Sequence, residues 1–288
     1  MSTMYSDEEL ASAVNAGVMT ENTANKFRQH VASERAVPAV DEEHFQLITG
    51  FNDIFVVIAS VLLLASVSWI GNSISPATGA FLQVITAWGL AEYFTRQRHM
   101  ALPSIVLLLS FVLGVFVTGF ALLASSSMSD DLMKGVLGII TAFAAWLHWQ
   151  RFKVPITIAA GTAILIIAVM FLLFWFIPES RTYIRPITFV TGILVFLFAM
   201  RWDSSDTKRQ TGRSDVAFWL HLIAAPLIVH PVFSALMTSK DEVSSIAAVT
   251  VATLYIVIAL VSISIDRRAL MVSALAYVLY ALNSILEQ

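Results

Sequence analysis

From residue 54 onward, the chain consists largely of apolar runs long enough to cross a membrane. A spanning helix needs about twenty mostly apolar residues, because its backbone polar groups must bond within the segment. Hydrophobic residues make up 58% of the chain and charged residues only 13%, against about 25% charged in soluble domains. We therefore predict an all-α, polytopic integral membrane bundle of nine transmembrane helices in a lipid bilayer, at 54–71, 78–95, 102–124, 132–149, 154–177, 184–200, 215–238, 243–265 and 268–286.

The basic residues between these runs alternate from loop to loop. Ten lie in the loops TRQRH, QRFK, RWDSSDTKRQTGRSD and DRR, whereas the alternate loops hold four, namely Lys134, Arg181, Arg185 and Lys240. Cytoplasmic loops collect Lys and Arg. The pattern predicts a multi-pass protein of the cell inner membrane, with its N-terminus in the cytoplasm and its C-terminus outside.

Residues 1–50 form a polar, acidic leader ahead of the bundle at 51–288. Ser6 with Glu9 forms a capping-box pattern, Gly17 is suited to end a first helix, and Thr20 is suited to cap a second that runs to about Val31. A DNA-binding helix-turn-helix is disfavoured because the leader has three cations against eight acids. We expect no nucleic-acid partner and two short cytoplasmic helices that are able to dock a protein.

Two segments of the bundle echo each other. ITAWGLAEYFTRQRHMALP and ITAFAAWLHWQRFKVP each place a cation eleven residues after the first Ile, at Arg96 and Arg151, and a proline at the start of the next run. One interpretation is that helices two to nine are four hairpin repeats behind an added first helix, as in transporters with sites between repeats. The other is that unrelated membrane hairpins share basic loops.

Strong catalytic and cofactor motifs are missing from the sequence. It contains no nucleotide-binding glycine loop, HExxH pair, GxSxG elbow or EF-hand loop. The chain has no cysteine, which excludes disulfides and thiolate metal sites. We predict no cofactor or metal, and an enzyme ranks third, with an intramembrane site built from His148, His221, His230 and Glu92.

The seventh run contains two histidines and two prolines. His221 and His230 are nine residues apart, which places them on opposite faces of a straight helix. Pro226 and Pro231 lack amide hydrogens and so free the carbonyls of the residues four before them. The functional interpretation is a proton-responsive or ligand-responsive pair on a hinged helix. The alternative is interhelical hydrogen bonding with a static kink.

A second set of ionisable residues lies near the predicted cytoplasmic ends. Interpreted functionally, it is a polar gate whose proton-carrying carboxylate is Glu92 or Asp215. The alternative is an ordinary surface pair of Glu92 with Arg96, beside acids favoured at helix starts. The candidate pathway residues are His221, His230, Pro226, Glu92, His148 and Asp215, and the gate also includes Asp53, Arg96 and Arg151.

The leader EELASAVNAGVMTENTANKFRQHV, followed by GFNDIFVVIASVLLLASVSWIG, resembles the start of uncharacterised bacterial multi-span membrane proteins with a short helical cytoplasmic leader. This resemblance covers about the first seventy residues. It implies the same topology and carries no activity with it.

Two functions follow as hypotheses. The first is a transporter or permease-like protein for a small solute or lipid-related molecule, with no ATP-binding segment of its own. The second is a membrane scaffold or assembly protein that docks a cytoplasmic partner through the leader. The sequence leaves the substrate and the oligomeric state open.

Overall fold

The structure is a computed structural model that describes residues 7–27, 51–206 and 212–237, with single helical positions at 253, 256, 257, 260, 275 and 279. Contacts divide the chain into two units, Met1–His44 and Phe45–Gln288. All of the regular structure among the described residues is helical.

The leader unit contains two short helices, α1 (Asp7–Asn15) and α2 (residues 21–27). After α1, Gly17 adopts a φ of 72° and donates its N–H to the Val14 carbonyl, which is the left-handed turn that glycine favours at a helix end. The Thr20 hydroxyl accepts the Thr23 N–H at 3.2 Å, as expected of an N-cap. The predicted roles of Ser6 and Val31 lie outside the described residues.

Seven long helices and one short 3-10 helix form the described part of the second unit. The 3-10 helix, Pro178–Tyr183, precedes α8. The long helices are α3 (Phe51–Asn72), α4 (Pro76–Phe94), α5 (Ala101–Leu123), α6 (Asp130–Phe152), α7 (Ile156–Phe176), α8 (Ile184–Ser204) and α9 (Gly212–Met237).

Six helices in the described part of the chain are long and apolar enough to cross a membrane, namely α3 and α5 to α9. The protein is therefore a multi-pass membrane protein by length and composition. The predicted second span corresponds to α4, which is not among the six, since Gln83 and Glu92 lower the hydropathy of this 19-residue helix. The predicted eighth and ninth spans fall outside the described residues, apart from single helical positions.

The densest packing occurs within three consecutive pairs, α4 with α5, α6 with α7, and α8 with α9, and α3 lies against the first pair. These are the pairs that the hairpin interpretation joins. Between α6 and α7, a Cβ on Gly138 would lie 2.6 Å from the Cβ of Ala168, and Gly135 faces Leu172 as closely. Small residues thus allow close helix approach, as is common in membrane bundles.

Two buried apolar clusters lie among these helices. One joins α3 to α6 around Leu107, Phe111 and Ala145, and the other joins α7, α8 and α9 around Val195 and Leu220. Large apolar side chains on the outer faces are exposed, as lipid-facing positions require; examples are Phe55, Leu62, Leu113, Phe143 and Leu194.

Candidate functional site

An open cavity of about 360 Å³ lies between α3, α4 and α5, and its α3 wall includes side chains exposed on the outer face, such as Val61 and Trp69. Its polar lining comes from all three helices and consists of Ser68, Asn72, Gln83 and Ser110. Its apolar lining comes from α3 and consists of Val61, Leu64, Ala65 and Trp69. The cavity is therefore amphipathic, and three of its four polar residues belong to helices of membrane-spanning length.

The turn between α3 and α4 holds the end of α3, including Asn72 of the cavity lining, against the start of α4. Ser75 caps α4 by accepting the Thr78 N–H at 3.1 Å, and Pro76 begins the helix. A Cβ on Gly71 would lie 2.6 Å from the Cα of Gly79. Because neither residue has a Cβ, the two helices touch here, and the side chain of Asn72 lies beside Gly79.

Gln83 is half-buried on α4, and its Nε2 donates to the Ser110 carbonyl of α5 at 3.4 Å. A carboxamide offers two donors and an acceptor oxygen with two lone pairs. This long contact uses one donor, and within the described part of the chain the second donor and the oxygen remain for water or a solute.

The eight lining residues include no ionisable side chain. Charged side chains are paired instead near the helix ends. Asp130 pairs with Lys134 at 3.2 Å, and Asp131 pairs with Arg181 of the 3-10 helix. The lining residues that the structure describes thus provide hydrogen bonds without a countercharge.

Glu92 at the end of α4 forms the centre of an ion cluster. Arg151 at the end of α6 contacts both carboxylate oxygens, through Nε at 2.7 Å and Nη2 at 3.0 Å, and Arg96 lies at 3.3 Å. The pairing brings together the ends of α4 and α6, and with them the turns at 95–100 and 153–155. We call this the basic end of the bundle.

His148 lies one turn before Arg151 but faces aromatic side chains. Its ring centroid is 4.5 Å from that of Phe152, 5.5 Å from Phe111 and 5.9 Å from Trp88. The residue is fully buried, and neither ring nitrogen has a hydrogen-bond partner among the described residues. We therefore assign His148 to the core of the bundle, separate from the Glu92 cluster.

The two histidines of α9 lie on opposite faces, as their spacing predicts. His221 is buried, with its ring 5.1 Å from that of Phe196 of α8, whereas His230 and Pro226 are exposed. The helix continues without a break through both prolines. Because the two side chains lie on opposite sides of α9, they do not form a site with each other alone. A site shared by both histidines would require side chains from other helices.

The acids predicted at helix starts lie where expected in sequence, in the first turns of α3 and α9. Asp53 is buried on α3, and Asp215 opens α9. Among the described residues, no three His, Asp or Glu side chains come close enough to hold a metal ion. Among the residues of the predicted gate, the structure shows ion pairs of Glu92 with Arg96 and with Arg151.

Sequence reasoning overlooked the four polar residues of the cavity. Gln83 carried the best available signal, since a carboxamide within an apolar run is costly unless it faces protein or water. The serines carried little, because a hydroxyl can donate to its own helix. Ser66 does so on α3, as do threonines at 86, 118, 141 and 191.

We compared the chain with protein-family models, curated proteins and solved structures. None of the three comparisons found a match.

Proposed function

We propose that this protein is a transporter or permease-like protein for a small solute, and that the cavity between α3, α4 and α5 is its solute site. The observation that carries the proposal is the polar lining from three adjacent helices. Polar groups at membrane depth are costly unless they bond to protein or face water. The cavity supplies room for such water or for a solute that replaces it.

Ion pairs near the helix ends support the proposal. Glu92 with Arg151 joins α4 to α6 at the basic end, and Asp131 with Arg181 joins α6 to the 3-10 helix at the opposite end. Exposed pairs of this kind are individually weak. They are suited to open and close during a transport cycle without a large energetic barrier.

The natural absence of cysteine makes accessibility the first test. Ser68→Cys and Ser110→Cys, each as a single cysteine in the full chain, are exposed to a membrane-impermeant maleimide in vesicles. Ser66→Cys is the matched control, because Ser66 lies on α3 outside the cavity lining and bonds its own helix. We expect labelling at 68 and 110 and protection at 66, because only a hydrated cavity admits the reagent.

Protection at all three positions would contradict the transport proposal. If the cavity positions are labelled, the next measurement is solute uptake into vesicles of defined composition. His221→Ala and His230→Ala test the separate prediction of a pathway along α9. Unchanged uptake in both correctly inserted variants would remove the histidines from that pathway.

A scaffold is the second candidate function, favoured by the leader. Met1–His44 forms a unit distinct from the bundle, and its acidic surface would dock a cytoplasmic protein. Deletion of residues 1–45 tests this proposal. Partner capture that is lost while cavity labelling persists would favour the scaffold.

A further inference from the structure

We infer that the cavity between α3, α4 and α5 binds a small uncharged polyol. This inference rests on the proposed function and names the class of its solute. It follows from the charge of the lining, from its hydrogen-bonding groups and from its volume.

The lining of this cavity favours uncharged solutes over ionic ones. None of the eight lining residues is ionisable. The carboxylates of Glu92 and Asp131 are already engaged by arginines. A permanently charged solute would therefore gain no partner of opposite charge from the lining, to offset the hydration that it loses on binding.

The hydrogen-bonding groups fit hydroxyls. Ser68 and Ser110 provide hydroxyl groups that both donate and accept, and Asn72 and Gln83 provide carboxamides that do the same through separate atoms. A hydroxyl on the solute also donates and accepts, so each can pair with either kind of group. Several such groups from three helices favour a solute with several hydroxyls.

The apolar wall and the volume of the cavity further limit the shape and size of the solute that it would bind. Val61, Leu64 and Ala65 form an apolar wall, which suits the C–H surface of a carbon chain. Ligand cavities range from about 300 to 1,000 Å³, so a cavity of about 360 Å³ lies near the lower limit. A linear polyol of a few carbons matches both properties.

Protection of a cysteine from labelling tests the inference directly. The full-length Ser110→Cys chain is labelled in vesicles with the impermeant maleimide in the presence of xylitol or of xylonate, which has the same carbon number and a carboxylate. We expect xylitol to slow labelling and xylonate to leave it unchanged. Adding Gln83→Met should raise the xylitol concentration needed for half protection about tenfold, the effect of one lost hydrogen bond.

Thr86→Val is the control for the Gln83 substitution. Thr86 lies one turn along α4, outside the lining, and its hydroxyl donates to the Leu82 carbonyl, so xylitol protection should persist. If only xylonate protects position 110, or if the position is labelled and neither solute protects it, the polyol inference is overturned. The proposal of a hydrated transport cavity would survive either result. An unlabelled position 110 would overturn both proposals.

Discussion

At the scale of single residues, one carboxylate distinguishes the two segments that echo each other in sequence. Arg96 and Arg151 hold equivalent positions in the two segments, and both contact Glu92. The second segment has Leu147 where the first has Glu92. Glu92 therefore pairs with the cations of both hairpins. A comparison of the two segments in sequence would not indicate this shared pairing.

The first prediction concerns the coupling of Glu92 with Arg151. In a double-mutant cycle of Glu92→Ala and Arg151→Ala, we expect a favourable coupling in the free energy of unfolding that weakens as salt concentration rises, because the pair is partly exposed. Asp130→Ala with Lys134→Ala provides an intrahelical control. A coupling no larger than this control would contradict a role for Glu92 in joining α4 to α6.

The second prediction concerns His148. His148→Phe should leave stability unchanged or raise it by about 1 kcal/mol, because an apolar ring replaces a buried one without hydrogen bonds among the described residues. His148→Ala should cost about 2–5 kcal/mol through the cavity it creates among the aromatic rings. Denaturant titration in detergent measures both changes. A strongly destabilised His148→Phe variant would show that the imidazole nitrogens have a required partner.

At the scale of helices, stability depends on glycines that allow close approach. The spacing of Gly135 and Gly138 does not match the GxxxG pattern, so the sequence alone gave no reason to select them. In the structure they lie against Leu172 and Ala168 on α7. Their importance comes from what faces them rather than from their spacing.

The third prediction tests this contact. Gly138→Ala should destabilise the protein by about 1–3 kcal/mol, since the new Cβ would lie 2.6 Å from the Ala168 Cβ and force α6 away from α7. Gly89→Ala on α4 is the matched control, because nothing described lies within 4 Å of its Cβ position. There, we expect a gain of about 1 kcal/mol from helix propensity. Equal effects at both sites in unfolding titrations would contradict close packing at Gly138.

At the scale of the whole molecule, the basic end is the feature on which orientation depends. The Glu92 cluster brings the turns after α4 and α6 to the same end. Arg96 and Arg98 lie in the first turn, Lys153 lies in the second, and Arg151 lies at the end of α6 just before it. If this end faces the cytoplasm, as the distribution of basic residues predicts, then the turn at 124–129 faces the other side.

The fourth prediction is therefore a difference in labelling between the two sides. In vesicles of known orientation, Gln97→Cys should react with an impermeant maleimide only from the cytoplasmic side, and Ser127→Cys only from the opposite side. Both positions are exposed in turns that flank α5. The reverse pattern would show that the N-terminal orientation is wrong, and reaction from one side at both positions would show that α5 does not cross.

The sequence by itself determined that the chain forms apolar helices of membrane-spanning length, and that the two histidines of α9 lie on opposite faces. Both properties belong to a single helix, since they follow from transfer of side chains into lipid and from 3.6-residue periodicity. The nine-span count and the hairpin repeat remain predictions.

Only the tertiary structure decided which helix faces meet. It placed His148 among Trp88, Phe111 and Phe152, although its position near Arg151 had suggested a gate. It also gathered Ser68, Asn72, Gln83 and Ser110 around one cavity from three helices. Interhelical contacts depend on the shapes of both surfaces, and small residues such as Gly71 and Gly79 fix them. No pattern within a single helix contains that information.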